Sequence, residues 1–273
     1  MTKVWMIITT AILVAGCMME VDELQDVEVG EIEQAFSSTW TYSWGDTKYS
    51  SADIGSAFGR ACYMSGVAGY LTTNQFPEGS SQNGAGVFIN GSNRYNIYVD
   101  PAFSGITLQT WARCVNSYNR TADATWRSGQ PKKILAPVTA NRRCFISKLT
   151  TGRDASYSRG GFSSLFDQVR VTNDGVNWYI DGSQSGLVWA TASCIDVTED
   201  LGEFFLWANE GSSSSAWLVP ATNGATCFLT QVSGKLTTSN DWEAGPFVDL
   251  NPLFGYFYFN AKNGNGGRVR CVR

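Results

Sequence analysis

The sequence predicts an all-β body made of three tandem repeats of about 80 residues, each closed by its own disulfide. Three observations predict it. Six cysteines follow Cys17 and recur in step: Cys62, Cys144 and Cys227 lie 82 and 83 residues apart, and Cys114, Cys194 and Cys271 lie 80 and 77 apart. Between the members of each pair, apolar and polar residues alternate on both sides of a turn, as in a β-hairpin. No part of the body carries a long stripe of 3.6-residue period, and Gly, Ser, Thr and Asn fill the joints. The repeats are expected to close or stack into one body with pseudo-threefold symmetry. The alternative is three separate small sandwich beads. The connecting stretch 117–143 keeps Trp126, Ile134, Leu135 and Val138, which favours the single body.

Residues 1–16 stand apart from that body. Lys3 gives a short positive start, Val4 to Val14 is almost unbroken apolar chain, and Leu13-Val14-Ala15-Gly16-Cys17 ends it. This pattern reads as a secretory signal, too short to span a bilayer. Its last residues resemble the lipobox of bacterial lipoprotein precursors. The resemblance implies that Cys17 is acylated and becomes the mature N-terminus, and Met18 in place of Asp favours the outer membrane. Plain secretion is the alternative. Residues 17–35 follow as a tether with seven acids (Glu20, Asp22, Glu23, Asp26, Glu28, Glu31 and Glu33) and no Lys or Arg.

The whole chain holds 20 Lys and Arg against 24 Asp and Glu, a formal charge of −4. The seven tether acids account for the deficit, since residues 36–273 carry 19 bases and 17 acids. A body so nearly balanced argues against a nucleic-acid partner. The chain has no histidine, which excludes Ser-His-Asp and Cys-His catalysis and His-ligated zinc.

The repeats are bounded at 36–116, 117–197 and 198–273. Each opens on one motif: Cys62-Tyr-Met-Ser-Gly-Val, Cys144-Phe-Ile-Ser-Lys-Leu and Cys227-Phe-Leu-Thr-Gln-Val. Each closes on another: Trp-Ala-Arg-Cys114-Val, Thr-Ala-Ser-Cys194-Ile and Arg-Val-Arg-Cys271-Val. Trp44, Trp126 and Trp207 precede the first cysteines by 18, 18 and 20 residues and are read as core. Pairing within repeats gives Cys62–Cys114, Cys144–Cys194 and Cys227–Cys271. A symmetric rival joins Cys114–Cys144, Cys194–Cys227 and Cys271–Cys62, and needs a closed ring. Neither leaves a thiol for catalysis or metal.

The return strand of each hairpin has two faces. Ile97 and Val99, Trp178 and Ile180, and Phe257 and Phe259 are expected in the core. Opposite them stand Tyr98 and Asp100, Tyr179 and Asp181, and Tyr258 and Asn260. An aromatic face beside a planar polar group suits a sugar ring, which offers apolar patches fringed by hydroxyls. These six residues are the candidate ligand-binding set. Asp100 and Asp181 are also the candidates for a carboxylate glycoside hydrolase, against which Asn260 stands in the third repeat. The run Asn263-Gly-Asn-Gly-Gly267 lacks the Lys-Ser/Thr of a phosphate loop and is read as a hairpin turn. No catalytic residue, metal or cofactor is expected.

Taken together, these motifs resemble a class of bacterial surface lipoproteins with repeated Cys-Phe-Leu-Thr…Ala-x-Cys units. The resemblance spans residues 36–273 and departs most at Tyr63-Met64. It implies a lipid-held β-repeat body and no catalytic residues. The expected function is non-catalytic binding of carbohydrate or a surface partner at the cell envelope, with a structural envelope component as the alternative.

Overall fold

The structure, a computed structural model, describes residues 40–44, 50–73, 83–101, 108–117, 119–152, 160–222, 224–237 and 245–273. Residues 1–16, Cys17 and the acidic stretch 17–35 lie outside the described residues. Every described element is a strand. The first repeat holds β1 (Trp40–Trp44), β2 (Ser50–Ser56), β3 (Arg60–Gly69), β4 (Thr72–Thr73), β5 (Asn83–Ile89), β6 (Arg94–Asp100) and β7 (Leu108–Asn116). The second holds β8 (Ala124–Arg127), β9 (Lys133–Pro137), β10 (Arg142–Gly152), β11 (Gly160–Gly161), β12 (Gln168–Asn173), β13 (Asn177–Ser183) and β14 (Leu187–Asp196). The third holds β15 (Asp200–Trp207), β16 (Ser213–Pro220), β17 (Thr226–Gly234), β18 (Phe247–Asn251), β19 (Tyr256–Lys262) and β20 (Asn265–Val272).

The strands form three open sheets, and every sheet is shared between two repeats. Sheet 1 runs β1-β7-β3-β18-β19-β16, and sheet 3 runs β15-β20-β17-β12-β13-β9. Sheet 2 has the path β2-β6-β5-β10-β14, with β8 also paired to β14 and the short β11 and β4 beyond. The cysteine strands of repeat 1 therefore carry the hairpin of repeat 3. Those of repeat 2 carry the hairpin of repeat 1, and those of repeat 3 carry the hairpin of repeat 2. This cyclic exchange excludes separate beads, because no repeat has a complete sheet of its own.

The opening motif performs the exchange. Its cysteine faces the closing cysteine directly across an antiparallel pair, in all three repeats. The Cα atoms stand 4.0, 3.9 and 4.0 Å apart, and the bridges are Cys62–Cys114, Cys144–Cys194 and Cys227–Cys271. The pairing is therefore within repeats. Three residues on, the hydroxyl residue (Ser65, Ser147 or Thr230) is the extra residue of a β-bulge. A bulge bends its strand and re-aims the residues beyond it. The next residue in each repeat pairs with the neighbouring hairpin: Gly66 with Phe247, Lys148 with Gly86, and Gln231 with Arg170.

The motif's aromatic residues meet at the centre. The rings of Tyr63, Phe145 and Phe228 lie 5.3 to 5.5 Å apart, tilted or edge-on, and all three are fully buried. The Tyr63 hydroxyl pairs with the buried Thr226 hydroxyl. A second threefold feature is a closed ring of backbone bonds. Leu71 N–H donates to Leu236 O (2.8 Å), Leu236 N–H to Phe162 O (2.9 Å), and Phe162 N–H to Leu71 O (3.0 Å). Gly161 sits beside this ring at φ 80°, where a Cβ would come within 1.9 Å of the Leu71 carbonyl oxygen. Glycine is needed there for both reasons.

The hairpins follow the predicted alternation, and Ile97, Val99, Trp178, Ile180, Phe257 and Phe259 are all buried. Each turn is held by one acceptor side chain. Asn90 accepts from the Ser92 and Arg94 amides, Asp174 from those of Val176 and Asn177, and Asn251 from those of Leu253 and Phe254. Such local side-chain acceptors are why Asx residues favour turns. The Asn263-Gly264 pair does turn sharply, at φ 62° and 76°, but it closes no hairpin: it carries the chain from β19 in sheet 1 to β20 in sheet 3.

Candidate functional site

The three predicted tyrosine faces are not alike. Tyr98 is 5% exposed, with Phe88 edge-on at 5.4 Å and the Lys148 amine 5.8 Å from its ring centre. Tyr179 is 8% exposed, and its hydroxyl donates to Asp174 at 2.7 Å while Lys132 Nζ lies 3.6 Å over the ring. These two rings offer no open face, which corrects the expectation of three like platforms. The covering groups come from the same hairpin (Phe88 on β5, Asp174 in the turn) and from neighbouring segments at Lys148 and Lys132, and alternation along the return strand does not report them. Asp100 is half-buried, and that burial raises its carboxyl pKa. Asp181 is ion-paired with Arg170 at 2.8 Å. Asp174 is held well below the usual carboxylate range, first by the Asn177 amide and then by the Tyr179 hydroxyl.

The third repeat differs. Tyr258 is only half-buried, and its hydroxyl donates to Asp249 at 3.2 Å. Directly across the ladder from it stands Trp217, 57% exposed. Trp217 is surrounded edge-on by Phe254, Tyr256 and Tyr258, with ring centres 5.8, 6.4 and 6.0 Å away. Phe254 and Tyr256 are exposed as well. The residues opposite the other two tyrosines are Ser51, facing Tyr98, and Ile134, facing Tyr179. Among the three equivalent positions, one alone is aromatic.

Polar groups flank this patch. Two shallow hollows of about 200 Å³ meet at Tyr258 and Asn260. One is lined also by Ser215, Trp217 and Asn251, and the other by Ser213, Phe247 and Lys262. The rigid backing comes from beneath. Phe257, on the opposite face of β19, packs under the Arg113 guanidinium at 4.7 Å. Arg113 is itself buried, with Asp249 at 3.8 Å. Exposed aromatic rings thus lie beside amides and hydroxyls on one face of sheet 1. Among the described residues, no three Cys, Asp or Glu side chains converge as a metal site requires.

Trp217, Phe254 and Tyr256 were missed by sequence reasoning, although a signal existed. The third hairpin turns through Leu253-Phe254, where its sisters turn through Gly91-Ser92 and Asp174-Gly175. Apolar residues at a hairpin tip have no local purpose. The repeated tryptophans play a different part: Trp126 is buried with its indole N–H on Gln130 O at 3.0 Å, and Trp207 is half-buried. The side chain of Trp44 lies outside the described residues. Searches against protein-family models and against curated proteins return no match to the chain.

Proposed function

We propose that the protein is a lipid-anchored binding module of the cell envelope that takes carbohydrate on the aromatic face of its third repeat. The carrying observation is the exposed Trp217–Phe254–Tyr256–Tyr258 cluster beside Asn251 and Asn260. Sugar rings stack their C–H faces on aromatic rings and offer hydroxyls to amides, and this surface supplies both. Of the six candidate residues, Tyr258 and Asn260 stand in that surface. Tyr98 and Tyr179 are buried under their neighbours, Asp181 is ion-paired with Arg170, and Asp100 is half-buried in the first repeat. The Leu13–Cys17 pattern supports the anchor, and three buried disulfides accord with an oxidising compartment.

A glycan array that includes cell-wall polymers tests the binding reading on the full chain. Trp217→Ala is expected to cost about 2 kcal/mol or more, as a central aromatic anchor does, which weakens binding roughly 30-fold. No binding to any glycan, or binding that Trp217→Ala leaves intact, overturns the reading. The anchor is checked by metabolic palmitate labelling, expected in the wild type and absent in Cys17→Ser. Label retained in Cys17→Ser refutes acylation at that residue.

A further inference from the structure

A chemically different cleft lies on sheet 3. It has a volume of about 340 Å³ and is lined by side chains of β12, β13, β15, β17 and β20. Its floor is one cross-strand row, in which Arg170 faces Gln231 and Gln231 faces Arg268; Asp181, next in the row and outside the lining, faces Arg170. The row is tied sideways. Arg268 Nε donates to Gln231 Oε1 at 3.1 Å, and Gln231 Nε2 donates to Gln168 Oε1 at 3.2 Å. Arg270 completes the wall, held by Asp200 and Glu203. Three guanidiniums thus line the cleft, each held by an ion pair: Arg170 by Asp181, Arg268 by Glu203 at 3.2 Å, and Arg270 by Asp200 and Glu203.

Two further observations point to a ligand. First, the Trp178 indole N–H and Arg270 Nε are buried there without a hydrogen-bond partner among the described residues. Both are donors, so the chemistry that satisfies them is an acceptor. Second, the repeats supply an internal comparison. In sheet 1 the corresponding row is filled by the Phe247 ring stacked on Trp111, 4.6 Å apart and 8° from parallel. These rings occupy the space over Gly66, where a Cβ would lie 2.4 Å from Phe247. In sheet 2 the row is closed by Lys148 over Tyr98 and by the Thr125–Thr191 hydroxyl pair at 2.9 Å. The fold fills this place twice and leaves it lined with donors once.

We propose that this cleft binds a sugar acid, a monosaccharide-sized unit bearing a carboxylate. The volume suits one ring. Each guanidinium keeps N–H groups beyond those its ion pair uses, Arg270 Nε among them, and these are the donors offered to a carboxylate. Gln168, Gln231, Thr172 and Asn173 supply partners for hydroxyls. The cleft shares no residue with the aromatic face, and its reading does not depend on that face.

The test is equilibrium titration of the full chain, followed by tryptophan fluorescence, with glucuronate, glucose and inorganic phosphate as probes. Each is run in the Trp217→Ala background, which removes the aromatic face, with both arginines intact, with Arg268→Gln or with Arg170→Gln, and far-UV circular dichroism confirms the fold. Glucuronate is expected to bind at least tenfold more tightly than either glucose or phosphate when both arginines are intact. Either arginine variant is expected to remove at least tenfold of that affinity. Glucuronate no tighter than glucose overturns the proposal, as does phosphate equal to glucuronate. So does glucuronate affinity that survives both arginine variants. The comparison among the three probes with both arginines intact decides the matter even if an arginine variant fails to fold.

Discussion

Phe228→Ala is expected to lower the unfolding free energy by about 3–5 kcal/mol, the range for truncating a buried aromatic, while the chain still unfolds in one cooperative step. The size comes from where the ring sits. Phe228 touches Tyr63 and Phe145, which belong to the cysteine strands of the other two repeats. The cavity left behind is bordered by three sheets, and none of them can collapse into it without shifting the other two. The single step comes from the exchange of strands, because loss of repeat 3 would strip sheet 1 of its hairpin and sheet 3 of its cysteine strands. Urea unfolding followed in parallel by far-UV circular dichroism and tryptophan fluorescence checks both parts. Two separated transitions, with only one shifted by the substitution, would contradict the shared architecture.

Removing the Cys144–Cys194 bridge as the double variant Cys144→Ala and Cys194→Ala is the second large effect. The bridge spans 50 residues, and closing a loop of that size is worth about 4 kcal/mol on the chain-entropy model. More than chain entropy is at stake here. The enclosed loop carries β12 and β13, which complete sheet 3 rather than the sheet that holds the bridge. The bridge is thus a clamp at the root of an arm reaching into a neighbour. Thermal unfolding under non-reducing conditions is expected to show a loss of about 2–5 kcal/mol. A loss well under 1 kcal/mol would mean that the sheets hold the arm without it. Intact-mass analysis with and without reductant verifies the remaining two bridges.

Much of this organisation was legible in the chain, because it is written locally. A period of two sorts residues to faces, and Asx residues mark turns, so the hairpins and their core faces emerged at the right residues. Cysteines that recur in step showed the repeat and narrowed the pairing to two symmetric sets, of which the structure has the one within each unit. The strand exchange was not legible. It depends on single junction contacts, such as Gly66 with Phe247, between residues about 180 positions apart. Nothing in local periodicity marks Ser65, Ser147 and Thr230 as bulges, although their shared hydroxyl recurs in the motif. The candidate site was half legible. Tyr258 and Asn260 were found because they obey the repeat, and Trp217 was missed because it breaks it. Functional asymmetry in a duplicated fold sits where the copies disagree, whereas a search for repeats rewards agreement.

The handing of each hairpin to the next set of cysteine strands also fixes a number. A solenoid can gain or lose a unit at either end, because each unit leans only on its neighbours. A ring in which every unit both lends and borrows strands has no such free end. Its count is set at the centre, where the opening motif of each repeat contributes one ring to the Tyr63–Phe145–Phe228 contact and each ring touches the other two. A chain with one copy fewer or one more would have to rebuild that buried contact as well as its sheets, so the number of repeats is a property of the core and not of the length of the chain.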